Sequence, residues 1–257
     1  FLMVIFSIVL QKLWFINNSL FNQKETYLAL FTLATVGILW AIDDYLNVRG
    51  IGRTKWLSAR FKMFWLLVFS WGGAWWFYDK LDWGSRLLDI PFTGWMEIGI
   101  YFIPLFIFII IATANSVNIT DGLDGLAPGL LLFAYGVYAY ITYDQWLYLL
   151  STLCVSIIGA LVAFLWYNIK PAKVYMWDVG SLALWANLWI MAMLTNTISV
   201  LIIVGAIFIF ETISVIIQLT SKKLRNGKKI FKIAPFHHHL EAIWWSEETV
   251  VFKLWLV

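Results

Sequence analysis

The stretch Asn115-Ser-Val-Asn118-Ile-Thr-Asp121-Gly-Leu-Asp124-Gly-Leu-Ala127 closes a very apolar segment with two carboxylates and two glycines. Two Asp-Gly steps three residues apart make a tight turn with exposed backbone amides, because glycine reaches positive φ freely and Asp hydrogen-bonds its own turn. Alone, such a turn is only a polar connection. The chain also carries Asp43-Asp44, Asp178 and the run His237-His238-His239. Carboxylates from three loops, a histidine cluster and many Lys and Arg suit magnesium-assisted phosphoryl transfer. Magnesium takes oxygen from one or two carboxylates and shares the rest of its shell with substrate phosphates, while cationic side chains neutralise the remaining charge. That chemistry requires these pieces to meet on one face of the molecule.

The elements that would bring them together are membrane helices. With 62% hydrophobic and 13% charged residues and a mean hydropathy of +0.81, the 257-residue chain is not a soluble domain. Its apolar runs approach the roughly 20 residues a helix needs to cross the hydrocarbon core, and they lack the alternation of barrel strands. The fold class is all-α, a polytopic membrane bundle. Helices are expected at 1–16, 27–42, 63–78, 98–117, 124–142, 146–167, 179–195, 198–220 and from 246 onward, about nine spans. Lys12 and Asn187 make the first and seventh the least apolar. The chain starts inside one apolar run, at Phe1, and stops inside another, at Val257; it reads as one transmembrane catalytic domain, 1–257, truncated at both ends. Cys154, the sole cysteine, lies in an apolar run and reads as a small buried hydrophobe.

Connections after alternate helices emerge on the same side of the membrane. One side receives 43–62, 115–123, 168–178 and 221–245, which hold 13 of the 18 basic residues, from Arg49, Arg53 and Lys55 to Lys228, Lys229 and Lys232. By the positive-inside rule this side is the cytoplasm. The same parity gathers Asp43, Asp44, Asp121, Asp124, Asp178 and the three histidines there. On the opposite side Asp79, Asp82 and Asp89 fall among Trp83, Pro91 and Gly94 in a short hairpin. Glu211 is the one acid well inside an apolar helix. An ionisable group there is costly unless it faces the bundle or a cavity, so it is expected to support the site from behind.

Six segments, in order, resemble the phospho-N-acetylmuramoyl-pentapeptide transferase family (translocase I, MraY-type) of the polyprenyl-phosphate N-acetylhexosamine-1-phosphate transferases. They are Asp43-Asp44-Tyr45, Asn115 to Ala127, Phe164-Leu-Trp-Tyr-Asn168, Asp178-Val-Gly-Ser-Leu-Ala-Leu184, Glu211-Thr-Ile-Ser-Val215 and Ala234-Pro-Phe-His-His-His239. The Pro-x-His-His-His run resembles the muramoyl-pentapeptide branch in particular. The resemblance implies ten helices, so this chain would lack the first helix and the basic loop after it. It also implies a multi-pass enzyme of the bacterial cytoplasmic (inner) membrane, a homodimer with its active site facing the cytoplasm. Such an enzyme moves phospho-MurNAc-pentapeptide from UDP-MurNAc-pentapeptide to undecaprenyl phosphate, giving lipid I and UMP, with Mg2+ as cofactor and membrane lipids but no nucleic acid as partners.

Carried over by position, Asp178 matches the magnesium ligand and Asp43, with Asp44 beside it, the residue that deprotonates the lipid phosphate. His237 joins these as a catalytic group. Asn115, Asn118, Asp121, Asp124, Asn168, Tyr175, His238 and His239 match substrate-binding positions, where a ring such as Tyr175 can stack on uracil. Two other readings keep a place: a transferase of the same class using UDP-GlcNAc, and a membrane protein of another class, a transporter or an inactive scaffold.

Trp40, Trp56, Trp177, Trp185 and Trp244 each stand where the family pattern has glycine, in a chain with 17 Trp against 16 Gly. An interfacial aromatic belt accounts for many Trp but not for Trp177, immediately before the metal-binding Asp. Many of these are read as glycines, written as Trp because UGA codons were translated by the wrong table; UGG codons at the five positions would refute this.

Overall fold

The computed structural model describes residues 24–49, 59–80, 87–90, 94–97 and 99–257. The expected first helix, and Arg53, Lys55, Trp56, Asp82 and Trp83, lie outside the described residues. Helices α1 (Lys24–Arg49) and α2 (Ala59–Trp75) come first, and a π-helical turn, Trp76–Lys80, extends α2. Strands β1 (Leu87–Ile90) and β2 (Gly94–Glu97) then pair antiparallel, with Leu87 opposite Glu97 and Ile90 opposite Gly94, as the expected hairpin. There follow α3 (Phe102–Thr120), α4 (Leu126–Asp144), α5 (Tyr148–Asn168), α6 (Trp177–Leu194), α7 (Ile198–Val204), α8 (Ala206–Leu224), α9 (Phe236–Ala242) and α10 (Glu247–Trp255).

Every helix expected within the described residues is present. Four of them, Thr26–Arg49, Leu126–Asp144, Tyr148–Asn168 and Trp177–Leu194, are long and apolar enough to cross a membrane, and α7 with α8 makes a fifth if the pair counts as one span. The molecule is therefore a multi-pass membrane protein, though these helices do not amount to the nine spans expected. The single run read at 198–220 is broken at Gly205, where the two pieces bend by 71°. The tight packing explains the glycine: a Cβ there would lie 2.7 Å from the Leu201 carbonyl and 2.9 Å from the Trp185 ring.

Helix α6 forms the centre of the bundle. It is buried from Gly180 to Leu194 on all sides, as expected for a helix apolar around its whole circumference. Its longest packing partner is α1, and it also touches α3, α4 and α7. Asn187, the residue that weakened this helix in the sequence, is fully buried and satisfied: its Nδ2 donates to the Ala29 carbonyl of α1 at 2.7 Å. The Tyr135 hydroxyl of α4 donates to the Leu184 carbonyl at 2.6 Å and lies 3.0 Å from Asn187 Oδ1. A buried polar group costs little once paired, so this trio fixes the register of α1, α4 and α6. Phe77, Phe102 and Phe106, with ring centroids 5.6–5.9 Å apart, fasten α2 to α3.

Among the described residues, three tryptophans adopt a left-handed backbone: Trp146 (φ 63°), Trp177 (φ 54°) and Trp244 (φ 76°). L-residues with large side chains avoid this region and glycine enters it freely. Two of the five positions where glycine was expected are thus ones whose backbone favours it. Trp40 and Trp185 are instead buried in the core.

Candidate active site

The C-terminal part of α1 meets the N-terminus of α6, and this junction assembles the acidic cluster. Asp43 and Asp44 lie in the closing turns of α1, Asp178 in the first turn of α6. One carboxylate oxygen from each lies within 4.8 Å of the other two. Asp44 Oδ2 accepts the backbone N–H of Val179 at 3.2 Å, satisfying one of the amide donors that a helix N-terminus leaves without an intrahelical partner. Asp43 is buried, at 3% exposure. Three carboxylates held this close repel one another unless a cation or proton intervenes, and their oxygens are the hard ligands that magnesium prefers. The donor set fits that ion, with Asp178 and Asp44 as the residues that would hold it and Asp43 beside them.

The Asp-Gly turn between α3 and α4 closes on the same place. Burial, then the charges of Asp178 and Asp124, push the Asp121 carboxyl up to about 6. Gly125 supplies the turn's left-handed residue at φ 83°, and its N–H donates to Asn168 Oδ1 at 3.0 Å. Asn168, buried at the end of α5, also donates to the Val174 carbonyl at 2.8 Å. Asp124 Oδ2 accepts from the Ala172 N–H at 3.0 Å. These two expected substrate ligands therefore hold the loop 169–176 against the Asp-Gly turn. Tyr175 stands exposed on that loop, just before α6. Asn115 and Asn118 lie in the last turns of α3; their side chains fall outside the described residues.

The histidine run is not a loop but the short helix α9, and it is fastened from behind by α8. Glu211, fully buried, accepts the N–H of Phe236 at 2.7 Å through Oε2 and that of His237 at 3.1 Å through Oε1. Two turns further along, Gln218 accepts from the N–H groups of Ile230 and Phe231 at 3.0 and 3.1 Å and donates to the Phe231 carbonyl at 2.9 Å. Ser221 donates to the Lys228 carbonyl at 2.9 Å. Each contact holds loop backbone, so Lys228, Lys229 and Lys232 stay exposed. His237 is buried against the Asp-Gly turn; His238 pairs with Glu241 at 2.6 Å; His239 Nδ1 accepts the Lys232 N–H at 3.1 Å and packs against Phe231 and Phe236.

Sequence reasoning missed Gln218, Glu241 and the ion pairs of Lys170 with Glu247 (2.6 Å) and Glu248 (3.3 Å) that tie α10 to the loop after α5. Gln218 carried a usable signal, a polar residue in an apolar helix two turns from Glu211 on the same face.

A multi-pass helical bundle with an acidic cluster at its helix ends is the class of molecule this geometry defines, and the sequence profile of the glycosyl transferase family 4 matches its residues 26–196. Phospho-N-acetylmuramoyl-pentapeptide-transferases are among its relatives. That of Geobacillus sp. (strain WCH70) is 38% identical over 260 residues, covering 100% of this chain and 78% of the relative. Those of Thermodesulfovibrio yellowstonii, 38% identical over 256 residues (92% and 71% covered), and Chloroflexus aurantiacus, 36% over 252 residues (93% and 69%), are similar as well. The chain belongs to the phospho-N-acetylmuramoyl-pentapeptide-transferase family.

Proposed function

We propose that this protein transfers phospho-MurNAc-pentapeptide from UDP-MurNAc-pentapeptide to undecaprenyl phosphate, yielding lipid I and UMP for peptidoglycan synthesis. Family membership gives the reaction; the cluster of Asp43, Asp44 and Asp178 is the observation in this chain that supports it most directly. A lipid phosphate oxygen bonds to the sugar-linked phosphorus of the nucleotide, and the diphosphate bond to UMP breaks. The transfer is a phosphoryl-type displacement, so positioning and charge compensation carry the catalysis.

Magnesium held by Asp178 and its neighbours would neutralise diphosphate charge and align the two phosphates. Asp43, buried beside that position, takes the proton of the lipid phosphate. Asp121 and the amides of the Asp-Gly turn border the diphosphate. Tyr175 stacks on uracil, and Asn115 and Asn118 line the nucleotide. The helix α9 that carries His237, His238 and His239 borders the sugar and phosphates, and the exposed Lys228, Lys229 and Lys232 draw in the anionic substrate. Ile42, one residue before Asp43, lines an apolar groove of about 640 Å³ between α1 and α2, with Phe31, Leu39, Trp65 and Phe69. A polyprenyl chain whose phosphate sits at the carboxylates would have its hydrocarbon beside that groove. The positive-inside distribution of Lys and Arg supports a site on the cytoplasmic face, and the reaction assigns that face to the bacterial inner membrane.

UMP release from UDP-MurNAc-pentapeptide, measured with and without undecaprenyl phosphate and Mg2+, tests this reading. Release that needs both supports it; release from UDP-GlcNAc alone would replace it with the GlcNAc-1-phosphate reaction.

A further inference from the structure

Lys170, on the loop after α5, reaches the first turn of α10, where its Nζ lies 2.6 Å from Glu247 Oε2 and 3.3 Å from Glu248 Oε1. The other oxygen of Glu247 has a different partner: Oε1 accepts the backbone N–H of Asp124 at 3.3 Å. Asp124 in turn accepts the Ala172 N–H through Oδ2 at 3.0 Å. A ring therefore closes through Asp124, Glu247, Lys170 and Ala172, and it ties the Asp-Gly turn to the loop that carries Tyr175. Helix α10 is itself anchored at both ends. Ser246 caps it by accepting the Thr249 N–H at 3.3 Å, and its acidic first turn suits the positive end of the helix dipole. At the far end Trp255 packs over Gly129 and Phe133 of α4.

An exposed ion pair adds little to stability by itself, and the Lys170 and Glu248 side chains are 39% and 51% exposed. What Glu247 supplies is position. A carboxylate with one oxygen on a cation of one loop and the other on an amide of the next fixes the gap between the two. We propose that Glu247 is a positioning residue for nucleotide-sugar binding, setting from the C-terminal helix the separation between the Asp-Gly turn and the Tyr175 loop. The identity of the substrate rests on the transferase reading; the coupling of the two loops does not. The lipid substrate, with its hydrocarbon beside α1 and α2, does not lie between these loops, so Glu247 acts on one substrate and not on the other.

Hydrogen exchange of the full-length chain without substrate, together with the kinetics of UMP release, tests this. In Glu247→Ala the Asp124 amide loses its acceptor and the Ala172 amide loses the ring, so both should exchange about 5–10-fold faster than in the wild type. The KM for UDP-MurNAc-pentapeptide should rise about 5–10-fold, with kcat and the KM for undecaprenyl phosphate within about twofold of the wild type. Lys170→Ala opens the ring without touching the Asp124 bond and should speed Ala172 exchange and raise the same KM; Lys170→Arg, which can pair with Glu247 again, should restore both. Glu248→Gln, outside the ring, should leave them unchanged. If Glu247 only anchors α10, Glu247→Ala will lower the unfolding temperature while Ala172 exchange and both KM values stay at wild type, and the proposal falls. It falls as well if kcat and both KM values change together. A wild type that releases no UMP would contradict the transferase reading, and Ala172 exchange in Glu247→Ala and Lys170→Ala would then decide the coupling of the loops alone.

Discussion

Asp44 accepts the backbone N–H of Val179 across 135 residues of sequence, and through that bond the end of α1 becomes the cap of α6. Asp178, one residue before Val179, is carried to within 4.8 Å of Asp43 as a consequence. Asp44→Ala should therefore loosen the helix junction as well as remove a carboxylate. An N-terminal cap contributes about 1 kcal/mol, so thermal unfolding of Asp44→Ala in detergent should fall by a few degrees, whereas Asp43→Asn should lose turnover with little change in unfolding temperature. Equal destabilisation of the two variants would refute the capping role.

Asp121 responds to pH in a defined direction. Its carboxyl is raised from 3.8 to about 6, so its contribution to stability is full below the ordinary value and disappears as pH rises through 6. Without Mg2+, Asp121→Asn should raise the unfolding temperature at pH 7 and lose that advantage toward pH 5. A nearby cation favours the charged form, so Mg2+ should shrink the difference at pH 7. An Asp121→Asn advantage that does not change between pH 5 and 7 would contradict the shift.

Asn168 clamps two loops from a buried position. Asn168→Ala leaves the Gly125 N–H and the Val174 carbonyl without their partner, a loss of about 1–3 kcal/mol. The unfolding temperature and KM should change together, because the Asp-Gly turn and the loop bearing Tyr175 would separate. A change in KM alone would make Asn168 a direct substrate ligand.

Trp177 and Trp244 give the glycine expectation a physical test. Trp244 is 93% exposed, so its indole packs little and Trp244→Gly acts through the backbone, releasing about 1–2 kcal/mol of left-handed strain. Trp177→Gly should be stabilised similarly and should also gain at least about 100-fold in turnover, about 3 kcal/mol of transition-state stabilisation, by clearing the approach to Asp178. Trp146, at φ 63°, belongs with them on backbone grounds although the family pattern did not single it out. The coding DNA decides the origin: UGG at 177 and 244 makes these residues true tryptophans.

Much of this architecture was legible because membrane helices are specified by length and apolarity alone, and parity then placed Asp43, Asp121, Asp178 and His237 on one side before any contact was known. Gly205 was not legible as a break, since a glycine inside an apolar run is compatible with a continuous helix and its need shows only in the nearness of the Leu201 carbonyl and the Trp185 ring. Helix α9 is seven residues long, too short to show a period, so the histidines looked like a loop. Asp124 and Asn168 have the side chains that substrate ligands have, and the chemistry of a residue does not say whether its partner is a loop amide or a phosphate. Glu211 was readable from the cost of its charge, whereas Gln218, a neutral amide, was missed although it lies two turns on along the same face.

The proposed reaction depends most on Asp178 as a magnesium ligand at the α1–α6 junction. UMP release should be titrated with Mg2+ in the wild type and in Asp178→Asn, using the full-length chain, UDP-MurNAc-pentapeptide and undecaprenyl phosphate. The wild type should be inactive after chelation and recover with Mg2+. Asp178→Asn should turn over at least about 100-fold more slowly at saturating Mg2+, a loss of about 2.7 kcal/mol, because a neutral amide oxygen holds the ion less well and leaves diphosphate charge uncompensated. Wild-type turnover in Asp178→Asn, or turnover in the wild type that persists after chelation, would contradict it.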